Sequence, residues 1–291
     1  MVQFARWVAA RDYRAALMAA GLALLPLLAV FSCSVLALAA FQRGPGAGWR
    51  SAGIAAALLA LAGVAMGVSP AAVVLPAAMV WAPSVAMTHV LVTTGSLSVA
   101  VRMAGIGALV LAVGWVLLVP GAGEPWREAI QEMARQFAAG SAVEPAQLAD
   151  RVLTILPGVM AGSILLASIL GLFLGMWWHA ALSRPGAFGE AFRALQVGPL
   201  LGGLAVLAFA GAAATGSPVA LAAAVPLGTL MCIQGLAVVH GLARSRGWHR
   251  TWLVAAWLAL FLASPWAALA FTLYGLLDTF LNFRHKPAAN A

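Results

Sequence analysis

An all-α bundle of membrane-spanning helices is the fold class this sequence predicts, and three observations carry the expectation. Only 8% of its 291 residues are charged and 64% are hydrophobic, whereas a water-soluble domain carries about 25% charged residues. The apolar residues gather into uncharged runs of the length that a hydrocarbon core ~30 Å thick requires, about 20 helical residues. No stretch is polar enough over ~50 residues to fold as a soluble domain. The whole of 1–291 is therefore expected as a single integral membrane domain, solvated by the lipid bilayer.

The first run, 15–41, follows Arg6, Arg11 and Arg14. It exceeds the roughly 7 to 15 residues of a signal-peptide core, so it is expected to stay as an anchor. Run 51–101 breaks at Ser69-Pro70 and run 194–243 breaks at 215–218, where Gly and Pro stop a helix. With runs 103–120, 152–183 and 251–277, each hairpin counted as two, this makes about eight spans.

Eight plain crossings divide the 16 basic residues evenly between the two sides, which is not what membranes select. A bend at Pro26 in the first run and another at Ser264-Pro265 in the last make short or broken helices at both ends and raise the range to eight to ten. Half-runs of about 14 residues reach only ~21 Å, short of a full crossing. Both termini then face the cytoplasm, and among Lys and Arg only Arg127, Arg135 and Arg151 face outward.

Those three arginines lie in the polar, amphipathic loop 121–152, where Glu124, Glu128, Glu132, Glu144 and Asp150 outnumber them. Trp126, Ile130, Met133 and Phe137 recur at helical spacing and predict an apolar stripe. Pro125 suits a first helical position and Glu124 the positive end of the helix dipole. A second helix is expected to start at Pro145 and continue into the next span. The loop helix reads either as a lid or as an interfacial helix resting on lipid or on neighbouring spans.

The two charge-free hairpins resemble each other: Gly67-Val68-Ser69-Pro70 leads to Pro76, and Gly216-Ser217-Pro218 leads to Pro226, with Arg102 and Arg244 following. Related halves around a central site are one explanation. Chance recurrence in a chain rich in Ala, Gly and Pro is the other.

Small residues at Gly158, Gly162, Gly171 and Gly175 predict close helix packing, within the chain or with a partner. Polar groups inside a membrane are costly, so His89 and Gln234 are the candidates for a small-molecule site; a hydrogen bond between helices is the alternative role. His179 beside Trp177 and Trp178, and His240 before Arg244, suit interfacial anchoring.

Several classes of function find no support in the sequence. The net charge of +8 comes from basic residues placed singly in short connections, a topology signal rather than a nucleic-acid footprint. Cys33 and Cys232 both lie in apolar runs, so neither a disulfide framework nor a metal centre is expected. No set of nucleophile, base and carboxylate and no phosphate-binding loop appears, so no enzyme activity and no cofactor are expected. Asp278 and Arg284 are six residues apart, nearly two helical turns, which makes a direct pair awkward without help from Asn282.

The segment Gly275-Leu276-Leu277-Asp278-Thr279-Phe280-Leu281-Asn282-Phe283-Arg284 resembles the closing signature of the YybS-like bacterial membrane proteins, a family without an assigned function. Phe192-Arg193-Ala194-Leu195, the stretch from Gln234 to His240 and the Pro26 bend agree with it. The resemblance implies a bacterial cytoplasmic membrane and similarity to the substrate-binding S components of energy-coupling-factor transporters. Asp278 and Arg284 are the signature residues it singles out.

Such components capture vitamins or metal ions and dock on a coupling subunit through small-residue faces, for which Ala16-x-x-x-Ala20 would serve. No ligand-binding set carries over. The leading expectation is thus a transporter-type, non-enzymatic small-molecule-binding protein. The alternative is an assembly factor that grips other membrane proteins through the Gly-rich span and the loop helix.

Overall fold

In a computed structural model, which describes residues 2–119, 121, 123–138 and 144–284, every regular element is helical. The expected positions of the extreme termini and of part of loop 121–152 lie outside the described residues. In hydrocarbon a backbone N–H or C=O finds no water, so each segment must satisfy its own hydrogen bonds. Helices do this within one segment.

The elements follow as α1 (Val2–Ala9), α2 (Asp12–Ala23), a 3-10 turn (Pro26–Leu28), α3 (Ala29–Arg43), α4 (Pro45–Ala65), α5 (Pro70–Thr94) and α6 (Leu97–Leu118). Next come α7 (Glu124–Ala138), α8 (Pro145–Ser183), α9 (Ala187–Arg193), α10 (Pro199–Thr215), α11 (Pro218–Ser245), α12 (Arg250–Leu262) and α13 (Trp266–Leu281). Five of them, α4, α5, α6, α8 and α11, are long and apolar enough to cross a membrane. Apolar helices α3, α10, α12 and α13 are shorter.

Proline and glycine set most boundaries. Helices α4, α5, α8, α10 and α11 all begin on a proline, where the missing N–H costs nothing and the fixed φ suits helix entry. Gly216 closes α10 at φ +61°, a conformation that glycine adopts without a Cβ penalty. The expected breaks at Pro26, Ser69-Pro70, 215–218 and Ser264-Pro265 all fall between helices.

One boundary differs from the expectation. The sequence places a span end at Arg102, but the break lies at Gly95, which ends α5 at φ +68°. Arg102 sits inside α6, its Nε donating to the Ser98 carbonyl at 3.2 Å. A left-handed glycine stops a helix, while a single Arg on a helix near its start does not.

The residues cluster into two compact units, the first comprising 2–104, 164–196 and 237–248, the second 105–163, 197–236 and 249–284. In the first, α2, α3, α4 and α5 pack on one another. Its core is built from small side chains: Ala15, Ala16, Ala19 and Ala20 of α2 are buried, as is α3 from Ser32 to Ala40. Ala16 and Ala20 therefore face the interior of their own unit rather than a free docking surface.

Polar side chains stitch this core. Ser32 Oγ donates to the Ala19 carbonyl at 2.7 Å and accepts from Trp81 Nε1 at 2.8 Å, while Ser168 Oγ reaches the Val80 carbonyl at 3.2 Å. Two of the predicted glycines dock here: a Cβ on Gly175 would lie 2.7 Å from Ala37 Cβ, and one on Gly171 would run into Cys33 Cβ.

The second unit uses the same device. A Cβ on Gly158 would lie 2.6 Å from the Ala222 carbonyl oxygen, and one on Gly162 2.9 Å from Val225 Cγ1. All four predicted glycines are thus filled from within the chain. The tightest approach involves two others: a Cβ on Gly275 would strike the Met231 carbonyl and sit 2.6 Å from Gly235 N, so α11 and α13 meet backbone to backbone.

Gly275→Ala should lower the melting temperature of the purified protein in detergent by roughly 5–10 °C, the equivalent of overpacking a tight core by a few kcal/mol. Gly107→Ala, with nothing within 4 Å of the added Cβ, should leave it unchanged. Equal effects of the two would contradict the crossing.

Candidate functional site

The α11–α13 crossing brings together the polar groups of the second unit. Close backbone approach at Gly235 and Gly275 lets the neighbouring Gln234 side chain, 1% exposed, reach across. Its Oε1 accepts from Val197 N–H at 2.6 Å. Its Nε2 donates to Asp278 Oδ2 at 3.0 Å, Thr279 Oγ1 at 3.0 Å and the Gly275 carbonyl at 3.2 Å.

Asp278 and Arg284 form a direct pair, at 2.8 Å, with side chains 1% and 12% exposed. Six residues of helix would hold them apart. Helix α13, however, ends at Leu281, and Asn282 takes the left-handed conformation at φ +48°, which turns the chain back over its last turn. Phe283 N–H then donates to Asp278 Oδ1 at 3.0 Å, and the Phe283 ring stacks on Tyr274 at 5.4 Å. The bridging Asn282 expected from the sequence acts through its backbone, as the turn itself.

This cluster resembles a lock more than a ligand site. Gln234 is engaged at both ends, and the Asp278 carboxylate accepts from Gln234, Arg284 and Phe283. A buried ion pair is tolerated when such extra hydrogen bonds complete it. Among the described residues no three His, Cys, Asp or Glu side chains converge to hold a metal.

The other candidate, His89, belongs to the first unit. It is half-buried on α5, with Nδ1 shielded and unpartnered among the described residues. His179 Nδ1 lies 2.9 Å from Gln42 Nε2, with Phe41 stacked on the ring at 5.3 Å, and His240 packs edge-on against Phe192 at 5.3 Å.

A concavity that the sequence did not announce lies in the second unit. It is a groove of about 620 Å³ between α6, α10 and α11, walled by Leu109, Val110, Leu204, Leu207 and Leu227. Gly211 and Ala220 line it between the larger walls, in contact so close that a Cβ on the glycine would be 3.2 Å from the alanine's. Thr215 and Ser217 supply its polar end. Its volume falls within the roughly 300–1,000 Å³ of small-molecule pockets.

Helix α7 forms as expected, and its stripe is divided, Ile130 buried within the second unit and the other three residues exposed. Ile130 and Ala134 pack on Leu148, Ala149, Val152, Leu153 and Leu156, whereas Phe137 from the predicted stripe is 76% exposed. Arg127 bridges Glu124 and Asp150, each at 2.8 Å, and its hydrogen bond holds the Glu124 carboxyl below the usual carboxylate range.

No protein-family profile, curated protein or solved structure matches this chain. The class that composition and fold define is an all-helical protein with several apolar helices suited to a membrane.

Removing one partner of a buried pair leaves the other charge uncompensated, which costs about 3–5 kcal/mol. Arg284→Met should accordingly destabilise the protein strongly in detergent melts. Asp278→Asn combined with Arg284→Met should recover part of that loss. A double variant no more stable than the single one would show that the pair is not a coupled unit.

Proposed function

We propose that this chain is a non-enzymatic protein of a bacterial cytoplasmic membrane that binds an apolar small molecule entering from the bilayer, in the manner of a transporter's substrate-binding component. The observation that carries the reading is the groove between α6, α10 and α11, apolar along its walls and polar only at Thr215 and Ser217. It replaces the polar site expected around His89 and Gln234, because Gln234 is spent on structural hydrogen bonds.

The proposed topology has α4, α5, α6, α8, α10 and α11 as full crossings. The short pairs α2–α3 and α12–α13 each enter and leave on the cytoplasmic side. Counting each pair once gives eight segments and counting every helix gives ten. Support comes from the excess of Arg at the proposed inner ends and from the acidic residues of α7 at the outer one. Kinship with the YybS-like proteins is part of the proposal and rests on 275–284.

The assembly-factor reading keeps one observation in its favour. Helix α12 packs against α13 and leaves Trp252, Trp257 and Phe261 exposed, an apolar face that a membrane partner would cover. The Gly-rich face of α8 offers less, being occupied within the chain.

Val110→Trp and Leu207→Trp, at exposed positions on the groove walls, should fill the groove without disturbing the core. Mass spectrometry of organic extracts should find an apolar molecule with the unaltered protein and its loss from both variants. Identical extracts would remove the support for a groove ligand.

Topology is tested separately. With the native cysteines replaced, a membrane-impermeant thiol reagent applied from the periplasmic side should label Glu128→Cys and spare Trp49→Cys and Arg246→Cys. The reverse pattern would overturn the orientation.

A further inference from the structure

We propose that the end of the first unit around Asp12 is a binding site for the phosphate of an anionic membrane phospholipid. Asp12 is the only acidic residue before Glu124, yet Arg11, Arg14, Arg43 and Arg50 gather about it or beside it. It opens α2 and contacts two of them at once, Arg43 from the last turn of α3 and Arg50 of α4, the latter at 2.9 Å through Nε. One carboxylate balances one of these charges and leaves an excess of cations.

The arginines are under-supplied with carboxylates. Arg43 gives Nη1 to Asp12, while its Nε and Nη2 are shielded and meet no acceptor among the described residues. Arg50 keeps its side chain 60% exposed. Arg14 lies over Trp7 and Tyr13, with its guanidinium carbon 5.2 and 5.8 Å from the ring centroids, and donates through long hydrogen bonds from Nε to Tyr13 Oη at 3.4 Å and from Nη1 to the Trp7 carbonyl at 3.5 Å. That leaves it oriented but without a carboxylate among the described residues. A phosphodiester would be held by the open donors of Arg50 and Arg14, because its anionic oxygens accept from the planar guanidinium fork in pairs, while the shielded charge of Arg43 adds to the field behind them.

The surroundings select a lipid over a soluble anion. Trp7, Tyr13 and Trp49 are exposed around the cluster, and such aromatic rings settle at headgroup depth. Leu17, one turn along α2 from Tyr13, is also exposed and would meet acyl chain below the headgroup. Basic pockets between membrane helices favour anionic headgroups for these reasons. The site is independent of the groove in the second unit and stands or falls without it.

The test compares the intact protein in nanodiscs of phosphatidylglycerol and of phosphatidylcholine, with inorganic phosphate as a separate arm. Phosphatidylglycerol should raise the melting temperature and remain bound in native mass spectra. Arg14→Ala combined with Arg50→Ala should weaken its retention about tenfold or more, as loss of charge-assisted hydrogen bonds implies. The Arg14→Lys and Arg50→Lys pair should lose part of it, and its melting in phosphatidylcholine checks folding. Arg246→Ala, an exposed arginine of the same unit, should change nothing.

Equal retention of the two lipids would overturn the proposal. So would an equal effect of Arg246→Ala, which would mean diffuse charge. Full stabilisation by inorganic phosphate alone would mean a free-anion site and would overturn the lipid assignment.

Discussion

The exclusion of water from hydrocarbon is the constraint on which this structure depends. It forces every crossing segment to close its own backbone hydrogen bonds, and it also removes the usual reason for helices to associate, since lipid tails are as apolar as leucine. Packing at short range has to substitute. Gly158, Gly162, Gly171 and Gly175 each bring α8 against another helix at a distance that a Cβ would forbid. Alanine and serine do the same for α2 and α3.

The Gln234 cluster follows from that packing. Gly235 and Gly275 bring two backbones together, and only then does an amide side chain span from Val197 to Asp278. The lock also fastens the end of α13, because Arg284 returns to Asp278 past the left-handed Asn282. Gln234, offered by the sequence for a ligand site, thus helps to hold the second unit together, while His89 takes no part in it. The groove of that unit is separate from the lock, lined by small residues such as Gly211 and Ala220 together with Thr215 and Ser217.

How much of this was legible depended on whether the signal was local. Proline announces helix starts by its own chemistry, so the breaks at Pro26, Pro70, Pro218 and Pro265 could be read directly. Gly95 was hidden because it lies in an uncharged stretch, while the charge on Arg102 drew the boundary seven residues too far along. The pairing of Asp278 with Arg284 could not be judged from spacing, since it turns on one residue leaving helical geometry. The groove needs side chains from three separated segments, and which stripe residue of α7 is buried, Ile130 and not Phe137, depends on its contact with 148–156. Neither is encoded in any one window of sequence.

Solvation by lipid is most directly tested by thiol accessibility at side chains that are open on the protein's own surface. Leu61 on α4, Val110 on α6 and Leu207 on α10 are 67%, 64% and 69% exposed, so the described residues leave them largely open. With Cys33 and Cys232 replaced, cysteines introduced singly at these positions should resist a water-borne maleimide in intact membranes, while one at exposed Glu128 reacts fully. Labelling of all three at the Glu128 rate would mean that water, not hydrocarbon, surrounds this molecule.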